Sequence, residues 1–123
     1  MIRAVLVTAA ILLSQQAVDY WCHEYDIPYA YGAEIARLES NWDPQAMGDE
    51  GEAIGLFQFH PATWRWARKK MGLDPSLNIR LSQWESARTW AWLCHEGHAD
   101  WWTAHEKALA NLGMETIWKE EGR

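Results

Sequence analysis

Arg37-Leu38-Glu39-Ser40-Asn41-Trp42 and, after a short acidic stretch, Ala53-Ile54-Gly55-Leu56-Phe57-Gln58-Phe59-His60-Pro61 are the two segments on which the reading of this chain turns. The first closes a helical pattern. Pro28 opens a helix that carries Tyr31, Ile35 and Leu38 and runs to about Asn41, and Pro44 prevents its continuation. At about 100° per residue Glu39 falls roughly 40° from Ile35 and 60° from Ala36, so it borders the buried stripe. A carboxyl there is partly withdrawn from water at the negative end of a helix dipole, and both effects disfavour its charged form. That suits a general acid. On pattern alone, an exposed Glu that merely solubilises the surface is the commoner occupant of such a position.

Between the two segments, residues 43–53 hold Pro44, Gly48, Gly51 and four acidic side chains, the composition of a surface loop. In the second segment Gly55 lets the backbone approach a ligand closely, and Leu56 and Phe59 suit a core. Gln58 offers donor and acceptor to a sugar amide or hydroxyl, with bonding to the main chain as the alternative.

Working outward, strand signals are scarce: no stretch alternates apolar and polar residues for long, and no hairpin dipeptide sits between β-branched runs. A first helix is predicted from the apolar N-terminal segment, or from Ser14, to about Tyr25, and a third over 62–71, started by Pro61 and stopped by Gly72. A fourth is predicted from Asp74-Pro75-Ser76 through Leu77, Leu81, Trp84, Ala87 and Ala91 to Leu93, and a last from near Asp100. With 123 residues, no repeat and no linker, the chain reads as one all-α domain.

Taken together, the two segments resemble the lytic transglycosylase and goose-type lysozyme families. Their hallmark is a helix ending in Glu-Ser, a loop, and a Gly-Leu-Met-Gln segment followed by a hydrophobic residue and, in many members, Pro. Here Phe57 stands for the Met, while Gly55, Leu56 and Gln58 are kept, and Leu77-Asn78-Ile79 is similar to the families' later Asn-Ile pair. Two separated motifs in the right order are far more specific than either alone.

The resemblance implies a lysozyme-like single domain that cleaves the β-1,4 bond between N-acetylmuramic acid and N-acetylglucosamine in peptidoglycan glycan strands. It implies no cofactor and no metal, a monomer, and Glu39 as the acid. Ser40, Gly55, Leu56, Phe57 and Gln58 would lie at the substrate, with Ser40 positioning Glu39 or an acetamido group unless it caps backbone. Trp42 and Trp64 flank the proposed site as candidates for stacking on sugar faces, whereas Trp84 falls on an apolar stripe and is expected in the core.

Two chemistries stay open. In lytic transglycosylases one Glu suffices, protonating the glycosidic oxygen and then helping the muramic acid's own 6-hydroxyl attack its anomeric carbon, which leaves a 1,6-anhydro end. A hydrolase needs a second carboxylate, about 6.5–9.5 Å away if it inverts and nearer if it retains. Gly48-Asp49-Glu50-Gly51 is similar to the goose-type Gly-Asp-x-Gly loop, which makes Asp49 the candidate helper of an attacking water. The transglycosylase reading is favoured, because carboxylates in a Gly-rich loop are more often solvated than catalytic. A catalytically silent glycan-binding domain is the non-enzymatic alternative. The families' late Ala-Tyr-Asn motif is not visible, and Trp101-Trp102-Thr103-Ala104-His105 occupies its region, leaving the far wall of the site unassigned.

Composition narrows the rest. Apolar and aromatic residues make up 49% of the chain and ten are Trp, enough to bury a core and still line a groove. A net charge of −6 argues against a general nucleic-acid binder and gives no long-range steering toward an anionic wall polymer. Arg3, an apolar run over 4–13 broken by Thr8, and a polar exit at 14–17 read as an export signal or N-terminal anchor over residues 1–17, with the catalytic domain over 18–123. A buried first helix is the alternative. Export would take the protein to the periplasm, cell envelope or extracellular space, in the service of a cell or a phage. It would also suit a Cys22–Cys94 disulfide. Cys94-His95-Glu96-Gly97-His98 matches no familiar zinc spacing. Arg65, Arg68, Lys69 and Lys70 form a basic cluster, either a solvated face or a contact for stem-peptide carboxylates.

Overall fold

The computed structural model describes residues 2–117. Among these, five α-helices carry the fold: α1 (Ile2–Glu24), α2 (Tyr29–Ser40), α3 (Pro61–Met71), α4 (Gln83–His95) and α5 (His105–Leu112), beside a two-stranded antiparallel ribbon of β1 (Met47–Gly48) and β2 (Ala53–Ile54). The all-α expectation holds, and the ribbon is the one departure from it.

α2 starts directly after Pro28 and stops at Ser40, where Asn41 turns left-handed (φ 51°) and donates its N–H to the Arg37 carbonyl at 2.9 Å. Trp42 is left-handed as well (φ 67°), so the chain leaves the helix sharply just after Glu39. Tyr31, Ile35 and Ala36 bury one face of α2, which packs on α1 and α5, while α1 also packs along α4. Gly32 makes the α1–α2 approach possible, since a side chain there would meet the Cys22 sulfur at 2.6 Å.

The segment 56–59 runs through the middle of this frame. Phe57 stacks on Trp90 with ring centroids 4.4 Å apart and planes 6° from parallel, and Tyr31 covers the other part of Trp90 at 5.9 Å. Phe59 meets Trp64 and Trp102 edge-on at 4.9 and 5.3 Å. Stacked and edge-to-face pairs of this kind add roughly 0.5–1.5 kcal/mol each beyond the area they bury.

Three expectations are corrected. The fourth helix is split: Leu77–Leu81 is a 3₁₀ turn, Ser82 is extended, and α4 begins at Gln83 with the Ser82 hydroxyl accepting from the Glu85 N–H at 3.1 Å. The apolar period runs through the break, so pattern alone could not show it. Trp84, expected in the core, lies in the first turn of α4, is 43% exposed and packs on Tyr20 and Trp21 of α1 at 4.9 and 5.2 Å. Cys22 and Cys94 are both free thiols, buried in the core.

α1 passes without interruption through the expected boundary between residues 17 and 18. Ser14, Ala17, Val18 and Cys22 are buried on the domain, while Ile2, Val5, Leu6, Val7, Leu12 and Leu13 are exposed. Its stretch Val5–Glu24 is long and apolar enough to cross a membrane, a test that signal sequences and core helices also pass. The last part of the expected domain, residues 118–123, lies outside the described residues.

Candidate active site

Glu39, in the last turn of α2, faces a groove. The hairpin loop contributes Asp49 to the groove, and the second sequence motif contributes Ala53 at the start of β2 together with Gln58, Phe59 and His60. Thr63 of α3 completes that side, and residues 101–103 form the opposite wall.

The Glu39 carboxyl is half-buried and its pKa is raised, first by burial and then by the charge of Asp49, with His60 acting in the opposite direction. Desolvation therefore leads, as a helix-end carboxyl beside the core should show. Asp49 and His60 are themselves a pair, His60 Nε2 lying 2.9 Å from Asp49 Oδ2. The Asp49 side chain is 70% exposed. It sits in a strained turn, since Asp49 (φ 49°) and Glu50 (φ 56°) are consecutive left-handed residues other than glycine. Such conformations cost on the order of 1–3 kcal/mol each and collect at functional sites.

Gln58 is also left-handed (φ 55°), and its Nε2 donates to the carbonyls of Ala46 (3.0 Å) and Gly55 (2.9 Å). Those two bonds fix the side chain across the base of the ribbon and leave Oε1 as the atom able to meet a ligand. The far wall is tied to the same segment, because Trp102 Nε1 donates to the Phe57 carbonyl at 2.8 Å.

Of the residues singled out in the sequence, the structure gathers Glu39, Asp49 and Gln58 at one groove. Leu56, Phe57 and Trp64 have no exposed surface and support that groove from beneath, and the Trp64 indole N–H is committed to the Ser76 carbonyl at 3.0 Å. Gly55 is already required by the protein itself: it is left-handed (φ 92°), and a side chain there would run into the Arg80 carbonyl oxygen. Ser40 is buried, bonds back to the Ala36 carbonyl at 3.1 Å, and with Trp42 borders a different hollow against Val7, Ala10 and Ile11 of α1.

The sequence did not single out Ala53, Phe59, His60, Thr63 or residues 101–103 as lining the groove. His60 and Thr63 follow the motif without belonging to its hallmark, and Trp101 and Trp102 occupy the place of the families' late Ala-Tyr-Asn motif. Sequence reasoning also misread Arg68 and overlooked Arg80. Arg68 is buried, paired with Glu85 at 2.7 Å and bonded to the Asp74 carbonyl, so it is not part of a solvated basic face. Arg80 is buried too and donates to the carbonyls of Leu77, Glu52 and Phe59, holding both ends of the ribbon segment. Cys94, His95 and His98 go separate ways: Cys94 into the core, the His95 ring to the Tyr25 carbonyl, and His98 against Trp101.

A small helical domain with a withdrawn carboxyl facing a groove is a lysozyme-like arrangement. The chain belongs to the transglycosylase SLT domain family, whose model matches residues 16–104, from the buried half of α1 to just beyond the far wall of the groove. The fold is therefore the lysozyme-like SLT domain. Family membership implies transglycosylase-type cleavage of peptidoglycan, in a family typically made up of lytic transglycosylases, and a site that binds peptidoglycan. Comparisons with curated proteins and with solved structures returned no match.

Proposed function

We propose that the domain is a lytic transglycosylase that breaks the β-1,4 bond between N-acetylmuramic acid and N-acetylglucosamine, with Glu39 acting first as acid and then as base. The observation that carries this reading is the Glu39 carboxyl itself, half-buried in the groove with a raised pKa. In its protonated form it gives its proton to the glycosidic oxygen as the bond to the anomeric carbon breaks. The resulting carboxylate takes the proton of the muramic acid's 6-hydroxyl as O6 attacks that carbon, so the strand ends in a 1,6-anhydro sugar and Glu39 is reprotonated.

The other residues have supporting parts in this scheme. Gln58 Oε1 receives a sugar amide or hydroxyl donor. Leu56, Phe57 and Trp64 anchor the Gln58 segment from the core, Gly55 allows its turn, Ser40 secures the end of α2 behind Glu39, and Trp42 braces the exit from that helix.

One observation favours a second reading, hydrolysis. Asp49 lies on the same groove, bonded to His60 and close enough to act on Glu39 through its charge. Mass spectrometry of the products from purified peptidoglycan separates the two. Anhydro ends, with most activity kept in Asp49→Asn, are the expected result. Reducing ends with an inactive Asp49→Asn protein would establish the hydrolase instead, and no cleavage at all would leave a glycan-binding domain.

The same proposal takes residues 1–17 as an export signal that stays attached as an anchor. Its support is that Ser14 and Ala17 belong to the domain's core while the preceding turns expose apolar side chains. Intact mass of the exported protein tests this: a mature chain beginning after residue 17 would contradict it.

A further inference from the structure

We infer that Trp66, Trp92 and Trp101 form a second glycan-binding surface, running from the rim of the groove onto the face shared by α3 and α4, which holds the peptidoglycan strand beyond the bond being cut. The inference rests on the reading of the Glu39 groove given above. Trp101 belongs to both surfaces: it lines the groove and is 49% exposed. Trp66 is 41% exposed, with its ring centroid 5.6 Å from that of Trp101, and Trp92 follows at 6.4 Å from Trp66. The successive rings are tilted by 60° and 49°, which makes a cradle and not a flat plate.

Trp92 is partly buried against the core, but leaving the Trp66 and Trp101 rings in water forfeits burial that the domain could have used, and contiguous exposed aromatic surface marks a binding site. The rings are also held in place. His98 stacks on Trp101 at 4.0 Å with planes 22° apart, and meets Trp66 edge-on at 5.8 Å. Rings fixed beforehand lose little freedom when a ligand arrives.

An indole offers an apolar face and a polar N–H, which matches a pyranose with its C–H face and hydroxyl rim. A cation lies against this surface, of the right sign for the strand's carboxylates: Lys70 Nζ is 5.8 Å from the Trp66 ring centroid. Continuity with the groove selects the occupant, because a strand leaving past Trp101 meets Trp66 next. A second copy of the chain is the competing occupant.

The test uses Glu39→Gln protein, which leaves strands uncut, and peptidoglycan glycan strands of defined length as the probe. Affinity should keep rising with length after the groove is filled. Adding Trp66→Ala should lower affinity for the long strands roughly 3- to 10-fold and flatten that rise, as loss of one aromatic contact would. Trp66→Tyr, which restores a ring, should recover most of it. Should Trp66→Ala not fold, the indole N–H resonance of Trp66 in the Glu39→Gln protein gives the answer, shifting with long strands and not with strands that only fill the groove.

Identical length dependence in both proteins, or a Trp66 resonance unmoved by long strands, overturns the platform while leaving the groove intact. Absence of binding at any length overturns the groove reading and the platform with it. A concentration-dependent dimer abolished by Trp66→Ala assigns the surface to a second copy and overturns the glycan assignment.

Discussion

His60 Nε2 lies 2.9 Å from Asp49 Oδ2 on the rim of the groove that Glu39 lines. A carboxylate can only accept, so the ring nitrogen carries the proton and donates it. The two partners act on Glu39 with opposite signs, Asp49 raising its pKa and His60 lowering it, while burial outweighs both.

A pH prediction follows from those signs. The acid must be protonated to act, so activity falls as pH climbs through the raised Glu39 value. Asp49→Asn removes a charge that raises it and should move the alkaline limb of kcat/KM to lower pH. His60→Gln removes the group that lowers it and should move it to higher pH. Limbs that coincide in all three proteins would show that a different group controls the profile.

Gly55 and Gly51 offer a paired test of how the ribbon is built. Both are left-handed, but a side chain at Gly51 meets nothing within 4 Å, whereas one at Gly55 strikes the Arg80 carbonyl, which is backbone and cannot swing aside. Gly51→Ala should therefore cost only conformational strain, on the order of 1 kcal/mol. Gly55→Ala should cost clearly more and lower activity together with the melting temperature. Equal losses in denaturant titrations would mean that the close approach at Arg80 carries no weight.

The cysteines give a third test, on stability and redox. Burial pushes the Cys22 thiol up to about 12 and raises Cys94 as well, so neither forms a reactive thiolate near neutral pH. Native protein should resist alkylation at both positions, release two thiols on denaturation without reductant, and melt at the same temperature with and without reductant. Thiols that appear only after reduction would restore the disulfide that the sequence suggested for an exported chain.

How far the site could be read from the sequence depended on whether each residue's role was local. Glu39 was legible because its place on the helix, between Ile35 and the terminating Asn41, already fixes burial and direction. The ends of α2 and α3 were legible for the same reason, being set by Pro28, Pro61 and Gly72. Leu56, Phe57 and Trp64 belonged to the right segments, but motif membership does not distinguish a side chain that touches substrate from one that holds the segment in place. Only packing does, and all three are fully buried. Arg80 was invisible because its partners lie 21 and 28 residues away, at Phe59 and Glu52. The far wall depends on a contact of the same kind, between Trp102 and the Phe57 carbonyl 45 residues earlier.

Whether one withdrawn carboxyl performs the cleavage is decided by the turnover of Glu39→Gln on purified peptidoglycan, measured beside its binding to the same strands. Gln keeps the shape and hydrogen bonding of Glu but has no proton to give, and loss of that transfer alone lowers the rate by roughly 10²–10⁴-fold. A fall of at least that size is expected, with strand binding retained. A Glu39→Gln protein that cuts peptidoglycan at the wild-type rate would contradict that role for Glu39.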